Sequence, residues 1–197
     1  MSTAQHHFEK KAHEYTDFRE TGILGTLVAK EKKTFLDLLP DVKNKKVLDI
    51  GCGSGIYTTL LKQKGANVTS LDFAFSMAAI TKQKEPKTIV ASLETVAFHT
   101  PFDVVLCWGP LEFVADQAKG IENIASLLKK DGILLVLYPK QSVFGLLYWL
   151  YHYFFHHFSI TILSAKKLFS LLEAKNFIIE SQVSVHVLTY ALRCKKK

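Results

Sequence analysis

Residues 47–57 read Val47-Leu48-Asp49-Ile50-Gly51-Cys52-Gly53-Ser54-Gly55-Ile56-Tyr57, a short apolar run that passes straight into glycines at alternate positions. The spacing predicts a strand, a turn that can lie flat against a ligand, and a helix beginning at Ile56. Glycine reaches backbone angles other residues avoid and holds no side chain against a ligand, so Gly51, Gly53 and Gly55 read as a close-approach loop. A second apolar segment, Asn67-Val68-Thr69-Ser70-Leu71, closes on Asp72, where a parallel neighbour strand would deliver a carboxylate beside the same crevice. Carboxylates at that place commonly bind ribose hydroxyls.

Around these segments strand and helix alternate in the doubly wound α/β manner. Further strands are expected at Thr88–Ala91, Val104–Cys107 and Ile133–Tyr138, and helices at Ile56–Lys64, Phe75–Lys84, Asp116–Lys129 and Ala165–Lys175. Thr21 is placed to cap a helix carrying Ile23, Leu24, Leu27, Val28, Phe35 and Leu39, which Pro40 ends. Phe177 to Arg193 alternates β-branched and polar residues, as a closing antiparallel strand pair would, with no clear turn between Val183 and Val187.

Spacing separates the nucleotide-binding loops. A dinucleotide fingerprint wants its third glycine at position 56, which is Ile56, and a P-loop needs a lysine that this loop lacks. With Asp49 two residues before the first glycine, D-x-G-x-G-x-G resembles motif I of class I S-adenosylmethionine-dependent methyltransferases. The resemblance runs from about Phe8 to Leu192. Asp72 matches the family's ribose-binding acid and Phe73 its adenine-packing residue, while Val90-Ala91-Ser92-Leu93-Glu94 falls at the adenine-side loop. Phe102 to Trp108 is similar to the fourth strand and Leu127 to Val136 to the helix, turn and fifth strand. Ser92 replaces the usual acid, a weaker acceptor, and Lys130-Asp131-Gly132 stands in the place of Pro-Gly-Gly.

The resemblance implies a Rossmann-like, mostly parallel seven-stranded sheet with an antiparallel last strand. It implies S-adenosylmethionine as cofactor, S-adenosylhomocysteine as product, and cofactor contacts at Tyr15, Asp49, Gly51, Cys52, Gly53, Gly55, Asp72, Phe73, Met77, Ser92, Leu93, Glu94, Cys107 and Trp108. Tyr15, with Arg19, inherits the role of an N-terminal residue that closes over the methionine end. The plain reading of that segment is an amphipathic helix packing Phe8, Tyr15 and Phe18. The sulfonium already activates the methyl group, so alignment and exclusion of water supply most of the acceleration and a base is optional. His13, His152 and Glu112 are the candidates for one.

The aromatic run Gln141 to Phe158, within an insertion spanning 141–163, speaks to the acceptor. Phe144, Leu147, Tyr148, Tyr151, Phe155 and Phe158 recur at helical spacing, with Gly145, Trp149, His152 and His156 opposite. A lid over a lipophilic acceptor, a peripheral-membrane or homodimer contact through residues 143–158, and plain core all fit this pattern. The run is too short for a bilayer crossing. His152 and His156 share a helical face, but no Glu follows His152 and no cysteine lies near, so no metal is expected. Cys107-Trp108-Gly109-Pro110 lacks the Asn/Asp-Pro-Pro-aromatic run of nitrogen methylation. Oxygen or carbon of a small acceptor is the expectation, in the manner of enzymes that modify quinones or porphyrins. A catalytically silent module using the aromatic insertion as an interface is the alternative.

The 197 residues, 48% hydrophobic, suit one methyltransferase domain with residues 1–40 as a helical cap. Three widely spaced cysteines point to a reducing cytoplasm, and Met1 to His7 reads as a frayed polar start rather than a signal peptide. A net charge of +7 is spread over small lysine clusters. It reads as a solvated basic surface with no specific nucleic-acid partner.

Overall fold

The computed structural model describes residues 3–20 and 22–197, with side chains described for residues 3–12 and 25–197. Two helices, α1 (Thr3–Glu20) and α2 (Gly22–Leu38), precede an alternation of β1 (Lys46–Ile50), α3 (Ile56–Gln63), β2 (Asn67–Asp72), α4 (Phe75–Lys82), β3 (Thr88–Val90) and β4 (Phe102–Trp108). A 3-10 turn (Leu111–Phe113), α5 (Gln117–Leu127), β5 (Leu128–Pro139), α6 (Val143–His156), α7 (Ala165–Ala174), β6 (Phe177–Ser184) and β7 (Thr189–Lys196) complete it.

The seven strands form one sheet in the order β3-β2-β1-β4-β5-β7-β6, parallel except that β7 runs antiparallel to β5 and β6. Alternation across the pleat divides the core into two layers. Leu48, Ile50, Val105, Cys107, Leu134 and Val136 face α5 and α7, while Val47, Val104, Leu106, Leu135 and Leu137 face Phe35 and Leu38 of α2 and Tyr57 and Leu61 of α3. Burial on both faces explains why these strands read as unbroken apolar runs.

Four expectations from sequence are corrected here. The start of the chain is not frayed from Thr3 onward: α1 already includes Thr3, and Ala4 is buried against Phe158 and Ile160. Packing against the insertion supplies what local propensity does not. The helix expected to reach Lys129 stops at Leu127, because Leu128 pairs with Phe102 and begins β5. Asp131 then takes a left-handed conformation (φ 61°) before Gly132, a kink inside the strand rather than a turn ahead of it. Plain core is excluded for α6, whose Val143, Phe144, Leu146, Leu147, Tyr151, Tyr153, Phe154 and Phe155 are all exposed. The undecided break near Val183 is a turn at residues 185–188, closed by the Val185 amide donating to the Thr189 carbonyl. Thr21 lies outside the described residues, and Ile23 and Leu24 lie outside those whose side chains are described.

Candidate cofactor cleft

The strand order reverses at β1, and the carboxyl ends of β1, β2 and β4 frame a cleft with about 610 Å³ of empty space, part of it open to solvent. Small-ligand sites of this size are usual at such a switch point. Gly51, Cys52, Gly53, Asp72, Phe73, Met77 and Trp108, all read from the sequence, line it. Phe8, Ser54, Ile56, Tyr57, Gly109, Pro110 and Phe113 line it as well and were not among the expected contacts.

The three glycines do three different jobs. All have positive φ (66°, 54° and 81°), which disfavours a side chain at each. A Cβ on Gly51 would stand 2.5 Å from Cβ of Pro110, so Gly51 lets the β4 turn close onto the loop. A Cβ on Gly55 would stand 2.9 Å from Oγ1 of Thr81, so Gly55 serves the contact with α4. Only Gly53 faces open space, where a Cβ would meet nothing within 4 Å. Gly109 at the opposite wall, with φ 93°, is open in the same way. The loop is further pinned by Thr81 donating to the Gly53 carbonyl at 2.7 Å and Lys84 to the Ser54 carbonyl at 2.8 Å.

Asp72 ends β2 with its carboxylate divided between two amides, Gly53 N–H at 2.9 Å and Ala74 N–H at 2.9 Å. Burial pushes its pKa up to about 6, against the pull of those amide hydrogen bonds. Asp49 lies beneath the loop, outside the cleft lining, and accepts from the Thr58 hydroxyl at 2.5 Å, which also meets Ser70 at 3.0 Å. Burial raises Asp49 to about 7, with the Thr58 hydrogen bond opposing and the Asp72 charge adding. The Cys52 thiol is held far above its ordinary range by burial and these two carboxylates, which removes it as a nucleophile at neutral pH.

The walls are aromatic. Phe8 on α1 meets Phe73 and Phe113 edge to face, with centroids 5.8 and 5.3 Å apart. Trp108 packs among Phe35 and Tyr57, and its buried indole N–H has no acceptor among the described residues. α1 is fastened over this edge by Glu9, whose carboxylate accepts from the amides of Phe75 and Ser76 and from the Ser76 hydroxyl. Gln5 adds a hydrogen bond to the Phe73 carbonyl at 2.8 Å.

Several expected contacts fall elsewhere. Gly55 and Cys107 lie behind the lining, Cys107 fully buried among the α5-side core. Ser92 donates no contact to the cleft; its hydroxyl accepts from the Glu94 amide, Leu93 is core, and Glu94 accepts from the Asp116 amide. Tyr15, His13 and Arg19 lie outside the residues whose side chains are described. Glu112 is buried in the 3-10 turn, and its carbonyl accepts from the Thr161 amide. His152 is buried against Phe113, Tyr148 and Phe158, where burial pushes it down to about 4, with help from His156 and His7. That shift and its place off the cleft remove the near-neutral titration for which it was singled out. Among the described residues no cluster of His, Cys, Asp or Glu is arranged to hold a metal ion.

Comparison with known proteins agrees with this geometry. A family described as a methyltransferase domain matches residues 24–182. A ubiquinone biosynthesis O-methyltransferase from Pseudomonas aeruginosa (strain UCBPP-PA14) is 37% identical over 106 residues, covering 50% of this chain and 46% of the relative. One from Coxiella burnetii (strain Dugway 5J108-111) is 30% identical over 138 residues, 66% of this chain and 54% of the relative. The chain thus spans about half the length of these curated relatives. The structure of magnesium protoporphyrin IX methyltransferase from Synechocystis PCC 6803 with bound SAM aligns with a TM-score of 0.78 at 15% identity, covering 100% of this chain and 98% of that one. At that identity the likeness speaks to the fold. The chain therefore belongs to the methyltransferase-domain family.

Proposed function

We propose that this protein transfers the methyl group of S-adenosylmethionine to an oxygen atom of a small, lipophilic, aromatic acceptor. The observation that carries the reading is the Asp72–Gly53 pair: a buried carboxylate and an open glycine at the floor of a cleft with aromatic walls. The cleft fits the cofactor on its own terms. Gly53 and Gly109 leave space that a side chain would fill, Asp72 can accept from ribose hydroxyls, Phe73 and Met77 offer apolar surface to an adenine, and the Trp108 indole N–H has no acceptor among the described residues. The bound cofactor supplies an activated methyl carbon.

The chain's residues then bind, orient and exclude water. Phe8, Phe73 and Phe113 close the cleft edge with apolar surface, and Glu9 holds α1 in that position. Positioning of this kind accounts for roughly 7 to 11 kcal/mol in well-oriented systems, so no residue need act as a strong base. Oxygen rather than carbon is favoured by the relatives, whose names describe O-methyltransferases of ubiquinone biosynthesis. We also propose that residues 143–158 form a contact surface, because the outer arc of α6 is apolar and exposed.

The test is transfer of isotopically labelled methyl from S-adenosylmethionine to a panel of alkylated catechols, hydroquinones and carboxylated aromatic rings, with products read by mass spectrometry. An O-methylated catechol or hydroquinone is expected. Label on carbon or nitrogen alone would overturn the oxygen assignment.

A further inference from the structure

The geometry of α6 points to docking on an anionic phospholipid surface, which rests on residues 143–158 being a contact surface at all. Successive helical residues are turned by about 100°. On that wheel Val143, Phe144, Leu146, Leu147, Tyr151, Tyr153, Phe154 and Phe155 sweep an arc of about 200°, and every one of them is exposed, Val143 by 73% and Phe155 by 72%, while Leu150 within the same arc is half-buried. The remaining arc holds Gly145 and His152, both buried, with Tyr148, Trp149 and His156 partly so.

The helix is held firmly in this attitude. Gly145 lies so close to the Lys140 carbonyl that a side chain there could not be accommodated. Ser142 caps the first turn by accepting from the Gly145 amide, and His152 packs on Phe113 and Phe158. Trp149 and Tyr153 stack at 10° between ring planes, and the Trp149 indole donates to Ser159.

Arc width decides the occupant. A helix that packs on a protein neighbour needs an apolar stripe little wider than about 100°. A second copy of this chain seated on α6 would leave about half of this arc in water. A lipid interface wraps a protruding helix from all outer sides, and aromatic residues are favoured there. At 14 residues α6 is about 21 Å long, against a hydrocarbon core of about 30 Å, so it can lie in the interface but not cross it. Charge points the same way. No Asp or Glu stands between Asp131 and Glu173, a stretch whose only fixed charges are Lys140, Lys166 and Lys167, and the chain carries +7 overall. An anionic surface attracts such a segment, and a like-charged copy of the chain does not.

The placement has a consequence for the cleft. His152 on the inner side of α6 touches Phe113, a cleft-lining residue, and His156 meets His7 of α1 with ring centroids 4.1 Å apart. A protein docked through α6 therefore holds its cleft edge next to the bilayer, where lipophilic acceptors partition.

The experiment is co-sedimentation of the full chain with vesicles of phosphatidylcholine alone and of phosphatidylcholine mixed with phosphatidylglycerol, together with sedimentation velocity without lipid. The wild type is expected to be a monomer that pellets with the mixed vesicles, with apparent affinity about tenfold lower for the neutral ones and lost in the double variant Phe154→Glu, Phe155→Glu. Both residues are solvent-facing, so the variant is expected to keep its thermal midpoint and its S-adenosylhomocysteine affinity. Failure of the wild type to pellet with either vesicle overturns the docking. Equal pelleting with both overturns the choice of an anionic surface, and undiminished binding by the double variant overturns the assignment to α6. A wild-type dimer that the double variant dissolves would leave α6 a contact surface and overturn the membrane as its occupant.

Discussion

Glu9 on α1 reaches Ser76 at the start of α4, accepting from its amide at 2.8 Å and its hydroxyl at 2.6 Å. α4 has no side-chain cap of its own, since Ala74 occupies its N-cap position. A residue 67 positions earlier in the sequence therefore satisfies a helix terminus and draws α1 across the cleft edge in one contact.

Replacing Glu9 with Ala should cost about 1 kcal/mol, the usual value of a lost cap, and should weaken cofactor affinity by loosening Phe8 at the cleft wall. The effect depends on pH with a definite sign. Partial burial alone would raise the Glu9 pKa, but the hydrogen bonds from Ser76 and Phe75 outweigh it and hold the carboxyl below its ordinary 4.5. A depressed acid contributes stability above its unfolded pKa and loses it as pH falls through the folded one. The gap in thermal midpoint between wild type and Glu9→Ala should be full at pH 7 and shrink below about pH 4.5; a gap that does not depend on pH would show that the carboxylate is not the stabilising form.

Substitutions at the glycine loop should separate folding from binding. Gly51→Ala drives a methyl into Pro110 and should lower stability by about 1–3 kcal/mol through overpacking, on top of its backbone strain. Gly53→Ala bears only the strain of its left-handed backbone, about 1–2 kcal/mol, while its methyl enters the cleft. Chemical denaturation and S-adenosylhomocysteine titration should rank the two in opposite orders. The same order in both assays would mean that Gly53 does not face the ligand.

Asp49 should be a stability cost that function tolerates. Its folded pKa of about 7 lies above the ordinary 3.8, so its contribution is fully present below pH 3.8 and is lost as pH rises to 7. Asp49→Asn removes a buried charge and keeps an oxygen for the Thr58 hydroxyl. The variant should gain stability relative to wild type as pH climbs from about 4 to 7, with no further gain above. Thermal melts across that range check it, and a variant less stable than wild type at pH 8 would contradict it.

His152 works in the other direction. Burial lowers it from 6.5 to about 4, so the stability tied to its neutral form is present above pH 6.5 and is lost as pH falls toward 4. His152→Leu should flatten the acid limb of the stability profile and leave the pH dependence of methyl transfer near neutrality unchanged. A shifted kinetic inflection in the variant would restore His152 as a candidate base.

What the sequence discloses and what it hides divide by the range of the contact. The turn after Ile50 and the acid at Asp72 are legible because strand, glycine and helix start lie within a few residues, and the sheet follows from apolar runs that bury both faces. The end of α5 is not legible, since it is set by Leu128 pairing with Phe102 across the sheet. The separate roles of Gly51 and Gly55 depend on Pro110 and Thr81, which lie 59 and 26 positions away in the chain. Gly109-Pro110 is a turn signal in its own right and was the available clue to that wall. α6 conceals its orientation for a different reason: a helix apolar nearly all round carries no pattern that says which side is inward, and only Gly145 and the buried His152 mark it.

The most direct measurement is titration calorimetry of the purified chain with S-adenosylhomocysteine, run beside Asp72→Ala. One-to-one binding with a rise in thermal midpoint is expected, the affinity falling at least about tenfold and the midpoint rise shrinking in the variant through loss of a charge-assisted hydrogen-bond acceptor. A folded wild type that shows neither heat nor stabilisation with millimolar ligand would contradict that expectation.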